Sequence, residues 1–313
     1  MKTDETRQLQ RKTSSGSKAE IRYALHLVSQ NPVVLVGSAI AVLSIVLALL
    51  SGYLVNPNAW QRQDLGVRLC WNNQMIDWHI RNMFTCPGNT VHLLGTDSYG
   101  RDLLQMIILA LPIDLEISFA IVSAAVLIGV SVGAVAAYAG GILDELLLRI
   151  TDVFFSEPGL SLAIVFVTVF TRNFFFLTVA VLIVWWPTYV RLIRSQILSE
   201  KGRPYVEALR SVGASGPRIL FLHIIPNAIY PIIVQATLDI GGVILVFSTL
   251  MFLGFSPSPL TPELGNLVQT GIEHVFTAPW LVMFPGLTIL LIALGFNLLG
   301  DGLRDILDPR LRR

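Results

Sequence analysis

Charged residues are scarce in this chain of 313 residues: Asp, Glu, Lys and Arg make up 14% of it, and hydrophobic residues make up 53%. Water-soluble domains usually contain about a quarter charged residues, so the composition argues against a single soluble globule. The formal net charge is only +1, so no bulk positive field favours nucleic acid as a partner. The two cysteines are too few for a disulfide-rich scaffold, and no Cys/His cluster has the spacing of zinc ligands. These shortages together indicate a polytopic membrane protein.

The sequence also lacks the features of two enzyme classes. It contains no G-x-x-x-x-G-K-[ST], so no P-loop is available to cradle nucleotide phosphates. The string Gly213-Ala214-Ser215-Gly216 spells the G-x-S-G of intramembrane serine proteases. Such a serine needs a base within reach in a water-poor site, whereas this one lies in the most cationic loop of the chain. We therefore expect no catalytic, cofactor-binding or metal-ligating residues, with proteolysis kept as a remote alternative.

Six apolar stretches are candidates for crossing about 30 Å of hydrocarbon. The third has only 14 uncharged residues, so its helix is expected to begin earlier and to include the segment around Arg149 and Asp152. The fifth contains one charge, Asp239. The stretches are Val33–Val55, Ile117–Gly140, Pro158–Thr171, Asn173–Val190, Ala228–Ser256 and Trp280–Gly300. The predicted fold class is an all-α polytopic membrane protein with six transmembrane helices.

Two local patterns in these stretches have structural interpretations. Trp185, Trp186 and Tyr189 lie at one end of the fourth stretch, as aromatic anchors at a membrane interface do. Gly129 and Gly133 are four residues apart in the second stretch. Small residues at this spacing let two helix backbones approach closely. We interpret the glycine pair as a packing motif, with a pore-lining role as the alternative.

Lysine and arginine are concentrated in alternate loops. Six precede Pro32, Arg149 lies in the second loop, six lie between residues 191 and 227, and four follow the last stretch, against five in all other loops. The positive-inside rule then places both termini in the cytoplasm, in a plasma (inner) membrane. The predicted segments are a cytoplasmic tail 1–31, a first transmembrane helix 32–55, an outer loop 56–112, five further helices within 113–300, and a cytoplasmic tail 301–313. Within the first tail, Ala19–Gln30 has the pattern of an interfacial helix, with a disordered tail as the alternative.

Both cysteines, Cys70 and Cys86, lie in the predicted outer loop. Disulfides persist in oxidising compartments outside the cell membrane. Closing a loop of about 15 residues contributes roughly 3 kcal/mol on the chain-entropy model. We predict a Cys70–Cys86 disulfide, with free, buried thiols as the alternative.

The segment Arg203–Asn227 contains two helical patterns separated by Gly213–Pro217. Pro204 suits the start of a helix, with Glu207 in or near the first turn and Arg210 also off the apolar face. A short amphipathic helix with nothing of its own chain to bury against favours docking on a cytoplasmic partner. A helix lying on lipid headgroups is the alternative. The apolar stripe consists of Tyr205, Ala208, Leu209 and Val212.

This segment resembles a known family. Glu207-Ala208-Leu209-x3-Gly213, followed thirteen residues later by Pro226, is similar to the EAA loop of ABC-importer permeases, although the third position of the loop is usually Ala. The sequence His-Ile-Ile-Pro-Asn at His223–Asn227 is typical of the dipeptide/oligopeptide branch. The similarity runs from about residue 22 to the C-terminus and is to the second, C-type permease of that branch. Its other motifs are Gly95–Asp102, Ala139–Asp144, Arg149-x-x-Asp152, Phe252–Phe255 and Phe296–Asp305.

The resemblance implies a type I ABC-importer permease fold and a set of partners. The chain would form half of a translocation pathway with a second homologous permease subunit in the lipid membrane. Two cytoplasmic ABC ATPase subunits would hold ATP and Mg, and an extracellular or periplasmic solute-binding protein would deliver di- or oligopeptides. The loop at 191–227 would contain the coupling helix that enters a cleft of the ATPase. The coupling residues implied are Tyr205, Glu207, Ala208, Leu209, Arg210 and Gly213.

The cargo is the least constrained part of this interpretation. Where the branch commonly has Gly-Ala-Arg-x-Ser-Leu, this chain has Ala110–Leu115, which lacks the basic residue and contains Asp114. An importer of oligosaccharides with the same architecture therefore stays open as the alternative.

Asp239 lies near the middle of the fifth helix, where a charge is costly. We interpret Asp239 and Gln235 as lining the pathway and favouring cationic or hydroxyl-rich cargo; a protonated or ion-paired packing residue is the alternative.

Overall fold

The computed structural model describes residues 31–56, 58–59, 70–71, 74–75, 84–85 and 92–307. The predicted interfacial helix at Ala19–Gln30 and the last six residues lie outside the described residues. Cys86 also lies outside them, so the Cys70–Cys86 disulfide stays a prediction.

The described residues form eleven α-helices and one small sheet. The three strands pair antiparallel in the order β1-β2-β3. A π-helical turn at Leu220–Ile224 joins α7 to α8, another at Met251–Phe255 follows α9, and a 3-10 turn at Ile272–His274 follows α10. The helices are α1 Pro32–Leu54, α2 Leu103–Ala139, α3 Gly141–Phe155, α4 Gly159–Val169, α5 Phe174–Lys201, α6 Pro204–Ser211, α7 Gly216–Ile219, α8 Ile225–Ala228, α9 Tyr230–Leu250, α10 Leu264–Gly271 and α11 Trp280–Leu307. The strands are β1 Cys70–Trp71, β2 Gln74–Met75 and β3 Phe84–Thr85.

Five helices are long and apolar enough to cross a membrane, namely α1, α2, α5, α9 with its π-turn, and α11. The sixth candidate is the pair α3 and α4, which is bent by 84°. Six spans are therefore consistent with the structure, but the prediction of one continuous third helix is wrong. Pro158 precedes α4 and is extended, with φ −59° and ψ 124°. Proline disfavours helical backbone at the residue before it, which is Glu157, so the helix breaks here.

Two helix boundaries in the structure also differ from the predicted ones. Helix α2 begins at Leu103, nine residues before the predicted end of the outer loop at residue 112. The Asp102 side chain caps this helix by accepting the N–H of Gln105 at 3.1 Å. Pro112 lies inside α2, because the packed surroundings of a membrane helix tolerate the missing N–H. Helix α11 continues to Leu307, beyond the predicted end at residue 300, because helices extend past the apolar stretch that spans the membrane.

Small residues allow a close helix contact between α2 and α5. A Cβ added to Gly129 would lie 2.4 Å from the Cβ of Tyr189, and one added to Gly133 would lie 2.5 Å from the carbonyl oxygen of Val190. The glycine pair is therefore a packing motif. Helix α11 packs between α1 and α9. A second core cluster lies where the C-terminal ends of α2 and α5 meet α6, α7 and α8, and it supports the candidate site.

Candidate functional site

The entry to α6 is held by the end of α5. The Lys201 ammonium donates to the carbonyl oxygen of Ala137, at the end of α2, at 2.8 Å. Glu200 is buried and forms an ion pair with Arg203 at 2.8 Å, while the Tyr205 hydroxyl donates to Glu200 at 2.9 Å. Partial burial raises the pKa of Tyr205, so the hydroxyl is kept as a donor. These charge-assisted bonds fix the direction in which α6 leaves α5.

The burial of α6 corrects the predicted apolar stripe. Val206, which the pattern placed off the stripe, is fully buried, and Tyr205 and Leu209 pack partly against the same cluster. The stripe therefore does not form one free face. Helix α6 starts directly after α5 and folds back on it, so its near side is buried within its own chain. The residues left exposed are Glu207, Ala208, Arg210, Ser211, Val212 and Gly213, and Val212 is 80% exposed.

Gly213 ends α6 in a left-handed conformation. Its φ is +79°, a value that glycine adopts without steric cost. Its N–H donates to the carbonyl oxygen of Arg210 at 2.9 Å, and the N–H of Ala214 donates to that of Leu209 at 3.1 Å. This pair of bonds is the Schellman motif, which satisfies the last carbonyls of a helix. The chain can therefore reverse sharply between α6 and α7.

Helix α7 is docked against α2. A Cβ added to Gly216 would lie 1.9 Å from the Tyr138 hydroxyl oxygen, so a side chain at this position would displace the Tyr138 ring. Ile219 at the end of α7 is buried in the cluster formed with α2 and α5. We name residues 204–219 the coupling segment. It is attached to α5 at its start and to α2 at its second helix.

Two motifs of the second loop join α3 to α5. Gly140 and Gly141 have φ values of +64° and +58° and form the turn between α2 and α3. Arg194 then binds both carboxylate oxygens of Asp144, at 2.6 and 2.7 Å. Arg191 binds Asp152. The Asp residues of both motifs are thus used to hold α3 on the helix that leads to the coupling segment.

Asp239 lies half-buried between α5 and α9. Its carboxylate accepts the Tyr189 hydroxyl at 2.7 Å and the Gln235 amide at 2.9 Å. Within the described part of the chain, Asp239 forms no ion pair. Neutral donors therefore bind this carboxyl group, and among the described residues it does not form the ion pair of the alternative interpretation.

Tyr189 is the partner that the sequence analysis missed. Its place beside Trp185 and Trp186 predicted an interfacial anchor, and for Tyr189 this interpretation is wrong because its hydroxyl contacts Asp239 within the chain. Tyr189 is fully buried in the middle of the helix. No local signal could pair it with Asp239, because the two residues are 50 positions apart.

The motif Gly95–Asp102 joins the connections that lead into α2, α10 and α11. It lies at the opposite end of the structure from the coupling segment. Asp97 binds the Arg101 guanidinium at 2.6 Å, and Arg101 donates to the carbonyl oxygen of Leu260, before α10, at 2.9 Å. The indole N–H of Trp280 donates to the Thr96 carbonyl oxygen at 3.4 Å. This motif is therefore structural, joining the starts of α2, α10 and α11.

The protease alternative receives no support from the geometry. Ser215 is exposed in the turn before α7. In the part of the chain that the structure describes, its hydroxyl has no hydrogen-bonded base. Nor do those residues contain a group of three or more His, Cys, Asp or Glu that could hold a metal ion.

Comparison with known proteins agrees with this arrangement. Residues 125–313 match the family described as binding-protein-dependent transport system inner membrane component. The dipeptide transport system permease protein of Haemophilus influenzae is 42% identical over 226 residues, which are 72% of this chain and 77% of the relative. The di/tripeptide transport system permease protein of Pseudomonas aeruginosa is 39% identical over 225 residues, 72% of this chain and 74% of the relative. The glutathione transport system permease protein of Pectobacterium atrosepticum is 39% identical over 247 residues, 77% of this chain and 82% of the relative.

Proposed function

The chain belongs to the family of binding-protein-dependent transport system inner membrane components, and from this we propose that it is a permease subunit of an ATP-driven importer of di- and oligopeptides. Three relatives carry names of permeases for dipeptides, di/tripeptides and glutathione. All three cargoes are short peptides. The relatives are transport subunits, and we assign this chain the same kind of work, without catalysis of its own.

The proposed partners are a second homologous permease subunit, two cytoplasmic ABC ATPases that bind ATP and Mg²⁺, and a solute-binding protein outside the membrane. Both termini are proposed to lie in the cytoplasm, as the distribution of cations indicates. The coupling segment then faces the ATPases. Its exposed residues form a small surface that includes one acid, Glu207, two bases, Arg210 and Arg218, and the apolar Val212 side chain.

The coupling segment is the observation that carries the proposal. Its inner side is attached to α2 and α5, and its outer side is free of contacts in the described chain. A partner that displaces the segment must also displace the two helices to which it is attached. Lys201 is twelve residues from Tyr189 on α5, about 18 Å along the helix. Helix α5 therefore connects the coupling segment directly to the side chain that holds Asp239.

This connection supports alternating access. The permease has two states, and ATPase binding energy shifts the equilibrium between them through the coupling segment. In this proposal Asp239, with Gln235, lines the pathway and offers a negative charge to cationic groups of the cargo. Movement of α5 changes the position of Tyr189 and with it the environment of Asp239. Cargo release and ATP turnover are coupled in this way.

The coupling role is tested with Glu207→Ala in the complete transporter, reconstituted in proteoliposomes. Truncating one member of a buried interfacial charge pair costs about 2–5 kcal/mol, so we expect weaker ATPase association or hydrolysis without uptake. The matched control is Glu273→Ala, which removes an exposed acid from the 3-10 turn after α10 and should change neither rate. Wild-type hydrolysis and uptake in Glu207→Ala would contradict the coupling assignment.

The cargo is tested separately. Uptake of a labelled dipeptide and of a labelled oligosaccharide is measured in the same proteoliposomes, with the solute-binding protein present. We expect ATP-dependent accumulation of the dipeptide alone. Accumulation of the sugar alone would retain the permease assignment and overturn the peptide cargo.

A further inference from the structure

Two carboxyl groups meet in the interior, away from the coupling segment and from Asp239. Asp114 on α2 is 1% exposed, and Glu263, immediately before α10, is 0% exposed. The two side chains interact across the joint between these helices. Burying one carboxylate is costly, and burying two in contact is more so, because like charges repel in a low-dielectric interior.

Each carboxyl uses one oxygen to hold the start of α10. The N–H of Leu264 donates to Asp114 Oδ2 at 3.2 Å, and the N–H of Asn266 donates to Glu263 Oε2 at 2.7 Å. The other two oxygens, Asp114 Oδ1 and Glu263 Oε1, have no hydrogen-bond partner among the described residues. Buried polar atoms are nearly always hydrogen-bonded, so these two oxygens lack a donor.

Two serine hydroxyls at the same joint are also without partners among the residues described. They belong to Ser118, one turn after Asp114 on α2, and to Ser248 on α9, and Ser248 interacts with Glu263. Elsewhere in these helices, hydroxyls such as that of Thr249 donate to a carbonyl of the preceding turn. Each serine hydroxyl has a proton that it can donate, and a proton kept on one carboxyl would let that carboxyl donate to the other.

No cation neutralises the pair. In the described ranges neither carboxyl forms an ion pair with Lys, Arg or His. Arg101, in the connection before α2, binds Asp97 and the carbonyl oxygen of Leu260. On the neighbouring elements, Glu116 of α2 is exposed, and His274 lies in the turn beyond the far end of α10.

We propose that Asp114 and Glu263 share one proton and that this shared proton latches α10 onto α2. The protonated carboxyl donates to the ionised one, so one negative charge is removed and the repulsion becomes a hydrogen bond. Helix α10 is closely fitted here: a Cβ added to Gly265 would lie 2.1 Å from the Ser248 carbonyl oxygen. Loss of the proton therefore loosens α10 from both α2 and α9.

The direction of the pH effect follows from burial. Burial raises the pKa of Glu263 to about 7. A carboxyl whose pKa is raised in the folded state stabilises that state at low pH, and the contribution is lost as pH rises through the raised pKa. Each proton that leaves the pair makes it more negative, so the start of α10 should be held more firmly at pH 6 than at pH 8.

The test is amide hydrogen exchange of residues 264–271, followed by mass spectrometry on the complete chain with its partner permease in lipid nanodiscs. After correction for the intrinsic pH dependence of exchange, loss of one proton with a pKa of about 7 predicts about tenfold less protection at pH 8 than at pH 6. In Glu263→Gln the amide donates to Asp114 at any pH, so the ratio should fall to about one. Asp114→Asn should do the same, and it provides the test if Glu263→Gln does not insert.

Glu273→Gln, an exposed acid near α10, is the matched control and should keep the tenfold ratio. Histidines also change charge in this range, but His92 and His274 are retained in every variant. A ratio of one in the wild type, or an unchanged tenfold ratio in both carboxyl variants, would overturn the shared proton. Restoration of protection at pH 8 by Na⁺ or Ca²⁺ alone would overturn it in favour of a cation.

Discussion

Gly213 and Asp239 are the single residues on which the proposed coupling most depends. Gly213 has a positive φ, which costs a residue with a side chain about 1–2 kcal/mol. The Asp239 carboxyl group is bound by neutral donors, and substitution by Asn keeps its shape but removes its capacity to carry a negative charge. Each residue therefore offers a substitution with a defined physical effect.

At Gly213 we expect that Gly213→Ala or Gly213→Asp leaves the chain inserted in the membrane but distorts the end of α6. The Schellman bonds to Arg210 and Leu209 would be strained. We expect reduced ATPase association, or hydrolysis that no longer drives uptake, in the reconstituted transporter. Gly202→Ala is the control, since Gly202 has φ −84° and open space around it. Equal loss in both variants would mean that the positive φ of Gly213 has no special role.

At Asp239 we expect Asp239→Asn to lower the preference for cationic over neutral dipeptides. The substitution keeps the contacts with Tyr189 and Gln235 but removes the negative charge. The measurement is competition between the two dipeptides for uptake in proteoliposomes. Unchanged uptake and unchanged preference would show that Asp239 is a packing residue.

At the scale of elements, α3 is fastened to α5 mainly by one bidentate pair. Arg194 and Asp144 are mostly buried, whereas the pair of Arg149 with Glu145 on α3 itself is exposed. Hydrogen bonds to charged groups contribute more when they are shielded from water, and exposed ion pairs contribute little. The two pairs therefore provide a natural comparison.

We expect Asp144→Ala to destabilise the transporter by about 2 kcal/mol and Arg149→Ala by less than about 0.5 kcal/mol. Both are measured by thermal unfolding of the purified permease pair. Reversing the charges in Asp144→Arg with Arg194→Asp should recover part of the loss. If Arg149→Ala is as harmful as Asp144→Ala, the fastening of α3 lies elsewhere.

At the scale of the whole molecule, the orientation determines which surfaces meet which partners. The cation distribution predicts cytoplasmic termini, and the coupling segment and the joint of α10 then lie on opposite sides of the membrane. An ATPase and a solute-binding protein can therefore act on the two ends of the same helices.

We expect an epitope tag at the C-terminus to be cleaved by added protease in inverted membrane vesicles and protected in intact spheroplasts. A tag at either terminus should behave alike, because the number of spans is even. Cleavage of a C-terminal tag in intact spheroplasts would contradict the orientation and, with it, the assignment of the coupling segment to the cytoplasm.

The sequence by itself determined the class of protein, the spans and the motif that marks the coupling segment. The lengths of the hydrophobic stretches and the distribution of Lys and Arg are local properties of the sequence. They can therefore be recognised without knowing which segments pack together. The glycine that ends this motif was likewise visible in the sequence, whereas its positive φ is a finding of the structure.

Only the tertiary structure decided which residues meet. It buried Val206 in place of part of the predicted stripe, bent the third span at Pro158, and brought Tyr189 to Asp239. It also placed Asp114 against the start of α10, 150 residues away. These outcomes depend on packing between distant segments, which the periodicity of the sequence does not encode. Every apolar stretch of a membrane protein has a surface that is compatible with lipid. Which stretch packs against which is therefore determined by shape and by buried polar groups.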